Sequence, residues 1–140
     1  MDKVWNLVAD IGGTNARFSA MVDGQLESKF QYLHSVEEYP KFEDLICILL
    51  QEIASETGWH NPPNRVCFAV ACPADTEIIA FTNSHWTFTK TNLKKDLGCT
   101  HLSIINDFEA VAHGITELSD SNLVQVGGLE PVDNKAKGIL

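Results

Sequence analysis

The sequence is poor in basic residues, with 10 Lys and Arg against 19 Asp and Glu and a formal net charge of −9. No run or stripe of Lys and Arg interrupts this acidic balance. Proteins that bind nucleic acids hold the phosphate backbone with clustered cations. We therefore expect no nucleic-acid partner.

The sequence also lacks the cysteine spacing of a zinc or redox site. It contains no C-x-x-C pair, and its histidines do not cluster with its four cysteines. Structural zinc sites take their ligands from short, fixed spacings. We therefore expect buried free thiols in a reducing cytosol. The cysteines are Cys47, Cys67, Cys72 and Cys99, and the histidines are His34, His60, His85, His101 and His113.

Long apolar runs are missing as well, so the sequence predicts no membrane span. The first residues, Met1-Asp-Lys-Val4, do not follow the charged and then apolar pattern of a secretory signal. We expect a cytoplasmic protein. Its 140 residues, 44% of them hydrophobic, suffice for one domain with a real core.

Neither G-x-G-x-x-G nor G-x-x-x-x-G-K-[ST] occurs, which leaves the Rossmann and P-loop interpretations without support. The chain has instead an apolar run that ends in Asp10, followed by Ile11, Gly12 and Gly13 and by a second apolar stretch. This pattern predicts a strand, a tight glycine turn and a returning strand. Gly12 and Gly13 can adopt backbone angles closed to other residues and leave no side chain in the way of a ligand.

The chemistry of this turn suits a nucleotide phosphate with Mg²⁺. The exposed N–H groups of such a turn can form an anion-binding concavity. Thr14 and Asn15 add side-chain donors, and Asp10 could hold a metal ion through water, as Mg²⁺ prefers. The alternative is a hairpin that uses its two glycines for geometry alone.

Strands and helices alternate along the chain, which predicts an α/β domain. Its opening strands, joined by the glycine turn and by Asp23-Gly24, predict a three-stranded antiparallel meander and hence a mixed sheet with helices packed on it. The strands are expected at 3–10, 16–22, 26–33, 66–71, 77–82, 102–105 and 124–126. The helices are expected from Pro40, which fits a first turn, to Gly58, and then at 91–97 and 106–115.

The 66–71 strand is a continuous apolar run, which predicts a central strand buried on both faces. The run at 137–140 looks like the start of another strand, so we expect a fragment cut near a domain border.

A second candidate site follows the strand at 102–105. Asn106 and Asp107 stand at the end of this strand and the start of a helix, where ligands bind in open α/β sheets. An aspartate there could accept the proton of a substrate hydroxyl in phosphoryl transfer. Asn106 could bind a neighbouring sugar hydroxyl. The alternative is that either residue is a helix N-cap, a role that both types favour.

A third cluster, Asn83 with Trp86, suits the edge and face of a sugar. It equally suits a loop anchored by a buried tryptophan. Glu109, His113 and His85 are interpreted as surface or capping residues, and Trp5 and Trp59 as packing residues.

Several of these segments together resemble a known family. Asp10-Ile-Gly-Gly-Thr-Asn-Ala-Arg17 resembles the first phosphate motif of the bacterial ATP-dependent glucokinases, which belong to the hexokinase, actin and heat-shock-protein ATPase superfamily. Ala71-Cys-Pro73, Thr82-Asn-Ser-His-Trp86, Ile105-Asn-Asp-Phe-Glu-Ala110 and Val126-Gly-Gly-Leu-Glu-Pro131 resemble later segments of that family in the same order.

The resemblance implies a ribonuclease H-like, actin-like ATPase lobe and transfer of the ATP γ-phosphoryl group to the 6-hydroxyl of glucose, with Mg²⁺ as cofactor. Asp107 matches the family's catalytic base, and Asn106 matches a sugar-binding residue. Asn83, in the third cluster, is the other candidate for substrate binding. The cofactor-binding stretch is Ala9, Asp10, Ile11, Gly12, Gly13, Thr14 and Asn15, with Asp10 near the metal. The complete enzyme is expected to be a homodimer.

Two departures from the family stand out. Thr76 occupies a position where the family usually carries a glycine, so the turn there is expected to differ. The second phosphate motif, the adenosine motif and further sugar-binding residues of the family would all lie beyond position 140. The chain is accordingly expected to comprise the small lobe (1–118) and a truncated entry into the second lobe (119–140), and to be inactive alone.

Two alternatives to a glucokinase stay open. The first is a kinase for another hexose, an amino sugar or a small hydroxy or carboxylic compound, because Asn106 and Asp107 can position many hydroxyls. The second is a non-catalytic sugar-binding protein on the same fold.

Overall fold

The computed structural model of the protein describes residues 3–22 and 29–115. The expected turn at Asp23-Gly24, the strand at 124–126 and the lobe boundary near 118 lie outside these residues. The described strands are β1 (Trp5–Ile11), β2 (Asn15–Val22), β3 (Lys29–Ser35), β4 (Arg65–Val70), β5 (Ile78–Ala80), β6 (Thr87–Thr89) and β7 (His101–Asn106). The α-helices are α1 (Phe42–Thr57), α2 (Lys90–Leu97) and α3 (Asp107–Ile115), and a 3-10 turn covers Val36–Glu38.

Five strands form one mixed sheet in the order β3-β2-β1-β4-β7. β1, β2 and β3 pair antiparallel, whereas β4 pairs parallel with both β1 and β7. The meander and the mixed sheet expected from the sequence are thus confirmed. β1 is the strand at which the direction of pairing changes.

Alternation along β1 separates the two faces of the sheet. Trp5, Leu7 and Ile11 are buried on one face, whereas Val8 and Asp10 are exposed on the other. Helix α1 covers the buried face with apolar side chains at helical spacing. The fully buried members of this helix face are Phe42, Leu45, Ile46, Leu49 and Ile53.

Helix α1 ends as expected and begins later than expected. Gly58 follows its last residue with φ of 79°, a left-handed conformation that glycine adopts without steric cost. Pro40, expected in the first turn, precedes even the N-cap residue, Lys41, so that prediction is wrong. The reason is that Lys41 itself keeps an extended backbone, with φ −126° and ψ 148°.

The prediction that β4 is buried on both faces is also wrong. Val66, Phe68 and Val70 are buried, but Cys67 and Ala69 on the other face are only half-buried. Helix α3 contacts β4 and β7, and three of its side chains line a cavity together with outer-face residues of β1 and β4. It therefore lies on the face opposite α1.

A small two-stranded sheet stands apart from the main one. β5 pairs antiparallel with β6, with Ile79 opposite Phe88. The expected strand at 77–82 is therefore shorter than predicted, and β6 is a strand that the sequence did not indicate. Thr89 then caps α2 by accepting a hydrogen bond from the Asn92 N–H at 3.2 Å. No helix within residues 3–22 and 29–115 has the length and apolar character needed to cross a bilayer.

Candidate active site

The register of the parallel strands brings the predicted motifs to one edge of the sheet. Ile11 is paired with Val70, and Val70 with Asn106. The carboxyl ends of parallel strands share one edge, where ligands bind in open α/β sheets. The glycine turn after β1 and Asp107 after β7 consequently emerge at the same edge, separated only by the end of β4.

Asp10 and Asp107 line the same cavity, which has a volume of about 580 Å³. Val8 and Ala69 from the outer face of the sheet and Val111 from α3 form apolar parts of its wall. Two carboxylates from elements far apart in sequence thus face one open space. Such convergence is what metal-assisted phosphoryl transfer to a hydroxyl would need.

Arg17 also lines this cavity, and the sequence reasoning gave it no separate role. It stands directly opposite Asp10 across the β1–β2 pair. Side chains directly opposite in an antiparallel pair lie on the same face. The sequence could have indicated this position of Arg17, because pairing the residues on either side of the glycine turn places Arg17 opposite Asp10. Within residues 3–22 and 29–115, no Lys or Arg nitrogen lies within 4.0 Å of the Asp10 carboxylate.

The glycine turn is held by three backbone hydrogen bonds. The Gly12 N–H donates to the Asn15 carbonyl at 2.9 Å, which closes the turn. The Ala71 N–H donates to the Ile11 carbonyl at 3.2 Å, and the Val36 N–H donates to the Thr14 carbonyl at 2.9 Å. The turn is therefore tied both to the exit of β4 and to the 3-10 turn after β3.

The expected use of unusual backbone angles at Gly12 and Gly13 is wrong. Positive φ occurs among the described glycines at Gly58 and Gly98 only. The turn needs glycine for space instead. A Cβ on Gly13 would lie 2.9 Å from the Asn83 carbonyl oxygen, whereas a Cβ on Gly12 would meet only the Asn15 carbonyl oxygen, at 3.5 Å.

Asn106 is the N-cap of α3. Its Oδ1 accepts a hydrogen bond from the Phe108 N–H at 3.0 Å, and its Nδ2 donates to the Cys72 carbonyl at 3.0 Å. The capping interpretation is thus correct for Asn106. A side-chain amide has two donor hydrogens and two acceptor lone pairs, so each polar atom retains capacity for one sugar hydroxyl.

Asp107 is the first residue of α3, and its Oδ1 accepts a hydrogen bond from the Phe108 N–H at 2.9 Å. A carboxylate in the first turn also interacts favourably with the helix dipole. The negative charge of Asp107 also acts on Cys72. Burial is the main cause that raises the pKa of the Cys72 thiol, and the charge of Asp107 raises it further.

The structure decides between the two interpretations of Trp86. Its side chain is 1% exposed and packs against Phe42, with the ring centroids 5.2 Å apart. Its indole N–H donates to the Tyr39 carbonyl at 2.9 Å. Trp86 therefore anchors its loop, so the second of the two interpretations holds for this residue and its buried ring is not a stacking face for a sugar. Asn83 in the same loop is exposed, beside Gly13.

The interpretation of His85 as a capping or surface residue agrees with the structure. Its Nε2 lies 2.8 Å from the Tyr39 carbonyl, and since a carbonyl only accepts, the imidazole donates. His113 Nε2 lies 3.7 Å from Glu109 Oε1, with both side chains exposed. The Tyr39 carbonyl thus accepts hydrogen bonds from both His85 and Trp86. Because this is a backbone group, no side-chain pattern in the sequence could indicate it.

Thr76, the departure from the family pattern, uses its hydroxyl within the loop. Its Oγ1 donates to the Ile78 carbonyl at 2.7 Å. The neighbouring Glu77 accepts a hydrogen bond from the Thr91 N–H at 2.8 Å, and hydrogen bonding from Thr91 lowers the pKa of the Glu77 carboxyl. The loop is therefore fastened to the first turn of α2.

The site residues fit a magnesium ion held through water. No group of three His, Cys, Asp or Glu side chains suited to direct metal binding occurs in the described part of the chain. Mg²⁺ usually keeps several waters and is bound through one or two carboxylates together with substrate phosphates. Asp10, exposed at the cavity and without a cationic partner among the described residues, meets that requirement.

Comparison with known proteins agrees with this geometry. The family model described as glucokinase matches residues 7–140. A glucokinase of Salmonella arizonae is 40% identical over 133 residues, which cover 92% of this chain and 38% of that protein. The chain thus spans about two fifths of the length of the curated relatives that it matches.

Solved structures share the fold. The crystal structure of a glucokinase from an Antarctic psychrotroph matches with a TM-score of 0.73 and 27% identity, covering 93% of this chain and 40% of that one. A ROK family glucokinase from Streptomyces griseus, in complex with glucose and AMPPNP, matches with a TM-score of 0.56 and 21% identity, covering 79% of this chain and 35% of that one. The expected actin-like ATPase fold is confirmed, and the chain belongs to the glucokinase family.

Proposed function

We propose that this chain forms the small lobe of an ATP-dependent glucokinase, which transfers the γ-phosphoryl group of ATP to the 6-hydroxyl of glucose. One observation carries the proposal. Asp10, beside the glycine turn, and Asp107, at the carboxyl end of β7, line the same cavity. The phosphate-binding side and the proton-accepting side of a kinase would thus meet at one sheet edge.

In this proposal Asp107 acts as the general base. Its carboxylate accepts the proton of the 6-hydroxyl as the sugar oxygen attacks the γ-phosphorus and ADP leaves with the bond electrons. Only one Asp107 oxygen is engaged with the Phe108 N–H. The other oxygen is available for the substrate hydroxyl, on a side chain that lines the cavity.

The glycine turn supplies the nucleotide side. Backbone N–H groups of the stretch Ala9–Asn15, with the side chains of Thr14 and Asn15, would contact the phosphates. Asp10 would hold Mg²⁺ through water. The ion supplies charge neutralisation on the transferring phosphoryl group. The complex of the Streptomyces griseus enzyme with glucose and AMPPNP supports this pair of ligands on the shared fold.

The sugar side would use Asn106 and Asn83. Asn106 is rigid, because its amide is fixed by Cys72 and Phe108. A fixed amide orients a hydroxyl at low entropic cost, which favours a near-attack geometry. Closing of a second lobe over the sugar would exclude water and complete the site.

The complete enzyme is the right material to test this proposal. We expect glucose 6-phosphate from glucose and Mg-ATP, and its loss in Asp107→Asn, which keeps the size of the side chain but removes the basic oxygen. Glu109→Gln, two residues along α3 and exposed, is the matched control and should keep kcat. Equal rates in Asp107→Asn and the control would remove Asp107 from catalysis.

A substrate panel of glucose, mannose, glucosamine and small hydroxy acids then separates glucokinase from a kinase for another acceptor. We expect the highest kcat/KM for glucose. Sugar binding without turnover of any of these acceptors would support the non-catalytic alternative. The homodimer and the cytoplasmic location of the complete enzyme stay predictions, which size-exclusion chromatography with light scattering and cell fractionation would check.

A further inference from the structure

The glycine turn and the loop that carries Asn83 approach each other closely at Gly13. A Cβ placed on Gly13 would lie 2.9 Å from the Asn83 carbonyl oxygen and 3.0 Å from Asn83 Cβ. Carbon atoms in proteins make good contacts at about 3.5–4.0 Å. No side chain fits between the two backbones, and the limit is set by a backbone carbonyl and a Cβ, which cannot rotate away.

The far side of the Asn83 loop is fixed independently. His85 Nε2 and Trp86 Nε1 both donate to the Tyr39 carbonyl, at 2.8 and 2.9 Å. The Phe81 N–H donates to the Trp86 carbonyl at 3.1 Å and closes the loop on itself. The loop cannot simply slide away from Gly13, because Trp86 is buried in the core.

Tyr39 is itself held in place on two sides. Its hydroxyl lies 2.9 Å from His34 Nδ1, and His34 Nε2 lies 2.8 Å from Glu52 of α1. Three residues before Tyr39, the Val36 N–H donates to the Thr14 carbonyl at 2.9 Å. The glycine turn, the 3-10 turn and the Asn83 loop therefore form a closed ring of contacts, and the Gly13–Asn83 contact completes it.

We propose that Gly13 is a positioning residue for the acceptor sugar, acting through Asn83. This inference rests on the proposed function, in which Asn83 binds the sugar and the glycine turn binds ATP. The missing side chain of Gly13 sets the distance between the phosphate-binding turn and the sugar-binding loop. The glycine turn thus contributes to sugar binding as well as to nucleotide binding.

The expected effect of a methyl group follows from the distances. To reach an ordinary contact, the Asn83 carbonyl would have to retreat by about half an ångström. The ring of contacts prevents the whole loop from moving, so the displacement falls on Asn83 itself. Hydrogen bonds lose strength over such shifts in length and angle. We expect sugar affinity to fall about tenfold, which corresponds to about 1.4 kcal/mol.

The experiment uses the complete enzyme and calorimetric titration with glucose in the absence of nucleotide. Gly13→Ala is compared with Gly12→Ala, whose methyl group would meet only the Asn15 carbonyl oxygen at an ordinary contact distance. We expect a glucose Kd about tenfold higher in Gly13→Ala and unchanged in Gly12→Ala. A parallel titration with AMPPNP and Mg²⁺ reports the nucleotide side of the same turn in both variants.

A second variant approaches the loop from its other end. His85→Ala removes one of the two hydrogen bonds to the Tyr39 carbonyl while leaving Trp86 in place, so it should also raise the glucose Kd and raise KM for glucose more than KM for ATP. If Gly13→Ala fails to fold, the glucose Kd of His85→Ala tests the inference instead. Circular dichroism and the Tm establish folding before any titration.

The outcomes separate the two proposals. Absence of glucose binding by the unsubstituted enzyme contradicts the proposed function, and this inference with it. Normal binding by the unsubstituted enzyme, with an unchanged glucose Kd in folded Gly13→Ala, overturns the inference alone. If Gly13→Ala does not fold, an unchanged glucose Kd in His85→Ala overturns it. A rise in glucose Kd of similar size in Gly12→Ala would also contradict it, because the effect would then belong to the turn as a whole.

Discussion

The two faces of the central sheet come from the same strands but carry different kinds of residue. On the face under α1, Leu7, Ile11 and Phe68 are fully buried. On the opposite face, Asp10 and Arg17 line an open cavity beside α3. Neighbouring residues of a strand point to opposite faces. Residues that pack in the core therefore alternate along each strand with residues that face the cavity. A substitution and its neighbour in the same strand can therefore affect entirely different properties.

The largest expected effect is on the open face. Asp107→Ala in the complete enzyme should lower kcat by a factor of about 10² to 10⁴, the usual contribution of a general base. Its effect on the free energy of unfolding should stay at about 1 kcal/mol or less, because Asp107 contributes mainly one hydrogen bond and a favourable charge at the start of α3. Steady-state kinetics and urea unfolding measure the two quantities. A near-normal kcat would show that the open face does not carry the catalytic base.

The buried face should respond in the opposite way. Phe68→Ala removes a fully buried ring that packs edge-on against Phe18 and Phe42, with centroids 5.7 and 6.2 Å away. We expect a loss of about 3–5 kcal/mol in the free energy of unfolding. The neighbouring half-buried Cys67 is the matched control, and Cys67→Ala should cost about 1 kcal/mol or less. Equal losses in both variants would mean that α3 packs as tightly as α1.

The cysteines differ in burial in the same way as the two faces of the sheet, and this difference should be visible in their dependence on pH. Burial raises the pKa of Cys72 and Cys99 above the ordinary 9.0, whereas Cys47 on α1 is exposed. At pH 8 a disulfide reagent should therefore label Cys47 first and the two buried thiols only on unfolding. Because the unfolded thiols ionise first, the free energy of unfolding should fall as pH rises above about 9. Rapid labelling of Cys72 in the native protein would contradict this prediction.

The smallest effect is expected at Val8, an apolar residue on the open face. Its side chain is 37% exposed, whereas Leu7 beside it is fully buried. Val8→Ser should change the free energy of unfolding by about 0.5 kcal/mol or less, as is usual for exposed positions. Leu7→Ala should cost about 2–5 kcal/mol under the same conditions. A Val8→Ser variant as unstable as Leu7→Ala would show that a further part of the chain covers this face.

Much of the fold could be predicted because its signals are local. Alternation, the two-glycine turn and the helical spacing of Phe42 to Ile53 each act within a few residues, and the structure confirms them. β6 was missed because its three residues are too few to show a strand pattern of their own, and its pairing partner β5 is equally short. The position of Pro40 depended on the backbone angles of Lys41, which no pattern indicated.

The candidate site was predictable in composition but not in arrangement. The residue types at Asp10 and Asp107 indicated phosphate, metal and proton transfer, and the register then placed both at one cavity. The sequence could not show that Trp86 is buried or that Gly13 touches Asn83, because both depend on loops packing across long separations. Glycine in particular carries no side chain whose chemistry reveals whether it is needed for conformation or for space.

The mixed sheet also sets an order in which the site can form during folding. Ile11 and its antiparallel partner Ala16 are separated by four residues, whereas Ile11 and its parallel partner Val70 lie at opposite ends of a long segment. Closing long loops is entropically costly and slow, so contacts between distant segments form after local ones. The glycine hairpin can therefore form early, and Asp107 reaches it only after β4 and β7 have docked. We expect a folding intermediate, if one accumulates, to have the glycine turn formed without Asp107, the proposed general base, beside it.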